Sequence, residues 1–300
     1  MDLSQIRRDD AMIGEHTSLS PLTNKSIRRD TSLVGYTVLG LFSLLTLFPV
    51  FTMVTVFLLP ARNLSSDLYH LWPNHIALSN FVTMWTTLPI GRLLLNSLII
   101  AGGSTLLSLL VGIPAAFALA RTPVYGRRLW LFVFLATQLF SPSIIIVSAY
   151  HVMALLHLTD SYFGLIILDA GFYCLPFVIW IIAGNMRQIP QEVEDAVDID
   201  GASGWTKLWR IFVPMATPSI IVALVYAFIQ SWNDFAFALT LATSTKIMPL
   251  PIGVYSFMGA YQIQWNYLMG ASIVATVPIL ILFLIVQRRL IAGFMNGSIR

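Results

Sequence analysis

Residues 189–214 read Ile189-Pro190-Gln191-Glu192-Val193-Glu194-Asp195-Ala196-Val197-Asp198-Ile199-Asp200-Gly201-Ala202-Ser203-Gly204-Trp205-Thr206-Lys207-Leu208-Trp209-Arg210-Ile211-Phe212-Val213-Pro214. Pro190 suits the first turn of a helix, and Glu192, Glu194 and Asp195 favour its positive end. Val193, Ala196 and Val197 follow at helical spacing, and Gly201 allows a stop or a sharp bend. Ser203 is placed to cap a second short helix carrying Trp205, Leu208, Trp209 and Phe212, which Pro214 and Pro218 end. The stretch predicts a bent pair of short helices, acidic on the first arm and aromatic on the second. It fits either a groove in a partner or the surface of a bilayer. The acidic arm weighs against anionic headgroups.

Both flanks of this polar segment are apolar runs long enough to cross a bilayer, which takes about 20 helical residues. Working outward, six such runs lie near 33–59, 93–120, 129–153, 164–184, 218–243 and 268–287. Composition agrees. The 300 residues are 57% hydrophobic and 10% charged, with a mean hydropathy of +0.79, against roughly 25% charged residues in soluble domains. A soluble enzyme, a disordered chain and a nucleic-acid binder are all disfavoured. Each span is expected to be a helix, because hydrocarbon offers no partner for unpaired backbone groups. Met248 to Gly259, interrupted by Pro249, Pro251 and Gly253, reads as a loop at the membrane surface. Cys174 is the single cysteine, which excludes an internal disulfide and a cysteine-based metal site.

Lys and Arg set the orientation. With the N-terminus inside, the inner segments hold fourteen of them (Arg7, Arg8, Lys25, Arg28, Arg29, Arg121, Arg127, Arg128, Arg187, Lys207, Arg210, Arg288, Arg289 and Arg300). The outer segments hold three: Arg62, Arg92 and Lys246. Both termini are therefore expected in the cytoplasm, and residues 189–214 with them. Residues 1–32 read as a polar tail rather than a secretory signal, since the first apolar run starts late and is too long for a signal core. No internal repeat is visible.

The spacing within the cytoplasmic segment is specific. Asp195-Ala196-Val197, three residues, Gly201, nine residues, Ile211, one residue and Val213-Pro214 resembles the EAA loop of ABC-importer membrane subunits. It differs by Asp for Glu, Val for the second Ala and Val for Leu. The string Glu194 to Ser203 is similar to the carbohydrate-uptake branch. So are Asn96-Ser97, Ala115 to Arg121, Trp232-Asn233-Asp234-Phe235 and Gln287 to Phe294. The resemblance runs from about residue 33 to the end, and the nearest type is the smaller six-span permease of the maltose class.

The resemblance implies an all-α membrane protein of six transmembrane helices with a cytoplasmic bent coupling-helix pair between spans four and five. The implied layout is a polar tail (1–32), a permease domain (33–287, coupling loop 188–214) and a C-terminal tail (288–300). The implied partners are a second related permease, two cytoplasmic ATPase subunits, an external solute-binding protein and the bilayer of a prokaryotic inner membrane, with no nucleic acid. The chain would bind no cofactor. It has no G-x-x-x-x-G-K-[ST] loop, so ATP and Mg would sit on the partner ATPases. Glu194, Asp195, Ala196, Gly201, Ala202 and Trp205 form the implied ATPase-docking set.

Polar groups inside spans are expensive and carry a functional expectation. Tyr226, Gln230, Asn233 and Phe237 recur at offsets that share one face of a continuous helix, with Asp234 beside them. Asp169 in span four and Asn96 in span two complete the candidates for the solute path. Aromatics such as Tyr173 or Phe237 would stack on a sugar ring. The other reading of Asp169 and Asp234 is interhelical packing. His151, His157 and Asp160 are too loosely spaced for a metal site, and no catalytic constellation is present. An ion-coupled secondary transporter or channel using the two aspartates is the alternative function, but it leaves the cytoplasmic segment unexplained.

Overall fold

The structure, a computed structural model, describes residues 24–60, 76–199, 201–259 and 263–297, with side chains described from 33 to 287 within those ranges. Among the described residues the chain is helical, and its one strand-like feature is an isolated bridge between Met258 and Ile263. The chain divides into two units, Met1–Thr52 and Met53–Arg300. Helix α1 (Asn24–Leu58) crosses that division. Its apolar side chains in the first unit, Leu33 to Phe51, are largely exposed, as a lipid solvent permits. The expected 1–32 tail lies outside the described residues up to Asn24, as does everything beyond Gly297.

In the second unit α2 (Ser79–Thr87) leads into α3 (Ile90–Arg121). Then come α4 (Arg127–Thr137), α5 (Pro142–Leu155) and α6 (Tyr162–Met186). The polar segment forms α7 (Gln191–Ile199) and α8 (Gly204–Met215). They are followed by α9 (Thr217–Trp232), α10 (Ala236–Leu241), α11 (Leu250–Tyr255) and α12 (Trp265–Gly297). Four helices, counting α1 from Leu33, are long and apolar enough to cross a membrane. The number rises to six if α4 with α5, and α8 with α9, each count as one bent span.

Three expectations from the sequence need correction. The run 129–153 is not one straight helix. It breaks at 138–141 and bends by 98°, where Ser141 caps α5 by accepting from Ser143 N and Pro142 takes the first helical position, an arrangement that starts a new helix. The run 218–243 also breaks, at Asn233, so Tyr226, Gln230, Asn233 and Phe237 do not share one helical face. The stretch 248–259 is not all loop: Leu250–Tyr255 form a short helix. Leu250 and Ile252 are buried, Ser97 Oγ accepts from Leu250 N at 2.8 Å, and a Cβ on Gly253 would lie 2.2 Å from the Leu93 side chain.

Small residues set how closely the helices approach. On α9, Ser219, Ala223, Ala227 and Ser231 recur every four residues and are all buried, the pattern by which membrane helices bring their backbones together. A Cβ on Gly112 of α3 would meet Val178 of α6 at 2.6 Å. The C-terminal parts of α3 and α6 share one cluster with α8 and α9 that includes Ile113, Ala116, Val178, Ile182, Met186, Leu208 and Phe212. Helix α6 contains a π turn from Asp169 to Cys174, a local bulge of a kind often found at functional sites.

Candidate functional site

Two groups of sequence-selected residues come together, one at each end of the α6–α9 pair. The first is the α7–α8 segment. Gly201 has φ of +69°, with Gly201 N donating to Asp198 O at 3.0 Å and Ala202 N to Val197 O at 3.3 Å. That is the left-handed helix stop in which glycine avoids the Cβ penalty. Nothing lies within 4 Å of where its Cβ would sit, so the requirement for glycine is conformational rather than steric. Ser203 then caps α8, accepting from Thr206 N at 3.3 Å.

The two arms have distinct inner and outer faces. Leu208 and Phe212 are buried against α3 and α6, while Asp195, Ala196, Gly201 and Trp205 are exposed and Ala202 is half-buried. Trp205 packs edge-on against Trp209 at 5.6 Å. Ile199, the last residue of α7, which sequence reasoning passed over, is 87% exposed. Glu194 faces the other way from the rest of its set. Its carboxylate lies 3.4 Å from Arg121 Nη1 and 3.9 Å from Lys207 Nζ, with little exposure on any of the three. Lys207 also pairs with Asp198.

Arg121, the last residue of α3, is the hub of this corner. Its guanidinium donates to Met186 O from Nε at 3.1 Å and from Nη2 at 2.6 Å, and also to Ile189 O. It lies 4.9 Å from the Phe212 ring centre. One side chain thus satisfies the open carbonyl end of α6, neutralises Glu194 on α7 and stacks on α8. The sequence reading counted Arg121 as an inside positive charge and as the end of a family-like stretch, and gave its side chain no partner. The signal that would have singled it out is its place at a helix end facing an acidic arm, but the facing requires the fold. Nearby, Arg187 Nη2 donates to Leu119 O at 3.1 Å. Burial and the neighbouring Arg127 and Arg128 charges hold Arg187 below its ordinary pKa.

The second group surrounds the break after α9. Asp234 caps α10. Its Oδ1 accepts from Phe237 N at 3.2 Å and its Oδ2 from Ala238 N at 2.9 Å. A side chain that captures these N–H groups competes with continuation of α9, which is why the helix stops. Tyr173 Oη donates to Asp234 Oδ1 at 2.9 Å. Asp169 is fully buried and accepts from Ser231 Oγ at 2.5 Å. Phe237 is fully buried in an aromatic triad with Phe172 and Tyr173.

Asn96 is buried too, donating to Lys246 O and Met248 O and accepting from Tyr162 Oη at 2.7 Å. Tyr226 and Gln230 are half-buried and joined by a 2.8 Å hydrogen bond, and Asn233 is exposed. Beside the π turn, a cavity of about 330 Å³ is lined by Phe134, Phe140, Phe172 and their neighbours. Among the described residues no cluster of His, Cys, Asp or Glu could hold a metal by the usual count of three.

The comparisons agree with this architecture. Residues 108–294 match the family described as binding-protein-dependent transport system inner membrane component. The diacetylchitobiose uptake system permease protein NgcG of Streptomyces coelicolor is 29% identical over 89% of this chain and 88% of its own length. The trehalose transport system permease protein SugB of Mycobacterium tuberculosis is 28% identical over 90% of this chain and 95% of its own. A chain from the crystal structure of a bacterial ABC transporter that imports the acidic polysaccharide alginate superimposes with a TM-score of 0.73 at 23% identity, covering 90% of this chain and 99% of that one. With a family match over more than half its length and the helical order of these permeases, the chain belongs to the inner membrane components of binding-protein-dependent transport systems.

Proposed function

We propose that the chain is a permease subunit of an ATP-driven ABC importer and forms part of the translocation path for a sugar or oligosaccharide delivered by an external binding protein. The observation that carries this is the family match, joined to relatives named for trehalose and diacetylchitobiose uptake. It works with a second permease and two cytoplasmic ATPases, which hydrolyse the ATP. The chain crosses the membrane six times on this reading, each bent pair counted as one span, and the fourteen-to-three Lys/Arg asymmetry supports both termini in the cytoplasm. The layout is an N-terminal tail (1–32), a permease domain (33–287) and a C-terminal tail (288–300).

Helices α7 and α8 are the coupling pair. Asp195, Ala196, Gly201, Ala202 and Trp205 meet the ATPase. Glu194 serves the same docking from behind, by holding α7 to Arg121 and Lys207. Closure of the ATPase dimer on ATP moves this pair, and the binding protein and the nucleotide bias one shared equilibrium between inward- and outward-facing states. On the path, Tyr226, Gln230 and Asn233 supply hydrogen bonds to sugar hydroxyls. Asn96, Asp169, Asp234 and Phe237 shape the wall behind them. The aromatic cavity beside the π turn is of a size to take a sugar ring.

The test is affinity purification of the tagged chain from its native membrane, followed by reconstitution with the binding protein and ATP inside or outside the vesicle. An ATPase subunit and a second permease should accompany it, and loaded binding protein should stimulate ATP hydrolysis and sugar uptake. Uptake by the purified chain alone, driven by an ion gradient, would overturn the assignment.

A further inference from the structure

Two carboxylates, Asp169 and Asp234, border one small cavity together with Ser97, Ser231 and apolar neighbours. Its free volume is about 10 Å³, close to that needed for the centre of a single water-sized particle. Asp169 is fully buried and Asp234 is 6% exposed. Among the described residues neither is paired with Lys or Arg. Their satisfaction is unequal. Asp234 accepts from Tyr173 Oη, Phe237 N and Ala238 N. Asp169 accepts one bond on Oδ2, from Ser231, and its Oδ1 has no partner at all. A buried bare carboxylate oxygen is costly. Two uncompensated negative charges around one hole cost several kcal/mol each.

The occupant has two conditions to meet. A water molecule fills the space but leaves the charge. A proton on one carboxylate removes a charge but leaves the space. A shared proton with one water would meet both conditions, as would a small monovalent cation; the lining favours the cation, since its polar groups are oxygens, two carboxylates and two hydroxyls, the ligand type of a hard cation. The surrounding backbone agrees. The cavity lies between a π turn and a helix break, the kind of interrupted helix that frames ion sites elsewhere in membrane proteins. Carboxylate oxygens are strong-field ligands, which favour sodium over the larger potassium ion.

We propose that Asp169, Asp234, Ser97 and Ser231 bind one sodium ion, which locks α6 to the α9–α10 break. The ion stabilises one conformation of the permease. It is not the driving force, and the site stands independently of which solute is carried.

The test uses the intact transporter with its partner subunits in nanodiscs, where no ion gradient exists. Thermal midpoint and ATPase activity are measured while NaCl replaces choline chloride or KCl at constant ionic strength, at several pH values. Sodium should raise the midpoint saturably and more than potassium does. Asp169→Asn should weaken sodium binding, raising the half-saturating concentration about tenfold or more. Ser231→Ala, which removes one oxygen without touching charge, should weaken it by a smaller factor if the first variant does not assemble. Wild-type behaviour that is the same in sodium and choline overturns the proposal. So does a response to pH alone, which assigns the pair a shared proton, or a sodium response that Asp169→Asn and Ser231→Ala both leave intact. Sodium binding without ATP-driven uptake would instead count against the transport reading.

Discussion

Replacing Arg121 by alanine should release the α7–α8 segment from the helices it is tied to. The guanidinium donates to the carbonyls of Met186 and Ile189, pairs with Glu194 and covers Phe212. Breaking a buried pair by removing one partner costs roughly 3–5 kcal/mol, and the ring contact adds about 0.5–2 kcal/mol. Glu194 keeps Lys207 at 3.9 Å, so the lower end applies. About 3 kcal/mol is a hundredfold change in the population of the released segment.

Val193 is half-buried on the inner face of α7, and a cysteine placed there reports release. In the assembled transporter, Val193→Cys should be labelled by a soluble maleimide about a hundredfold faster when Arg121 is alanine. Sugar uptake per ATP hydrolysed should fall with it. Arg121→Lys keeps the charge near Glu194 but not the planar fork, and should sit between the two. A double-mutant cycle with Glu194→Gln should return a coupling energy above about 0.5 kcal/mol. Unchanged labelling together with unchanged coupling in Arg121→Ala would refute the hub role.

At Gly201, where φ is +69° and the space for a Cβ is open, Gly201→Asn should be tolerated. Gly201→Val should leave membrane insertion intact but uncouple ATP hydrolysis from uptake, read as ATPase activity no longer stimulated by loaded binding protein. Trp205→Ala removes the most exposed aromatic of the α7–α8 segment and should weaken ATPase retention on affinity purification by about 2 kcal/mol or more, if it is an interface anchor. Asp160 accepts from the Ser244 backbone N–H at 2.9 Å, and that bond holds its carboxyl below the ordinary range. A lowered value contributes stability that is present above the ordinary carboxylate pKa and fades as pH falls through the lowered one. Asp160→Asn should therefore reduce the thermal midpoint at neutral pH, with the difference from wild type closing only below about pH 4. A constant difference down to pH 3 would contradict it.

Several features of this protein were decided locally and are legible in its sequence. Long apolar runs become helices because hydrocarbon offers no other hydrogen-bond partner, which accounts for α1, α3, α6 and α12. The bend at Gly201 and the cap at Ser203 are local too, because each depends on the φ of one residue or the reach of one hydroxyl. What only the tertiary structure decided are the places where an apolar run stops being a helix, and which charges turn inward. The run from 218 to 243 breaks because Asp234 takes the N–H groups of Phe237 and Ala238 and is held there by Tyr173, 61 residues away. Hydropathy averages over that substitution and shows nothing. Glu194 reads like its acidic neighbours, yet it is drawn inside by Arg121, 73 residues earlier. Periodicity assigns a residue to a face of its own helix, but the electrostatic partner on that face belongs to another helix and is set by packing.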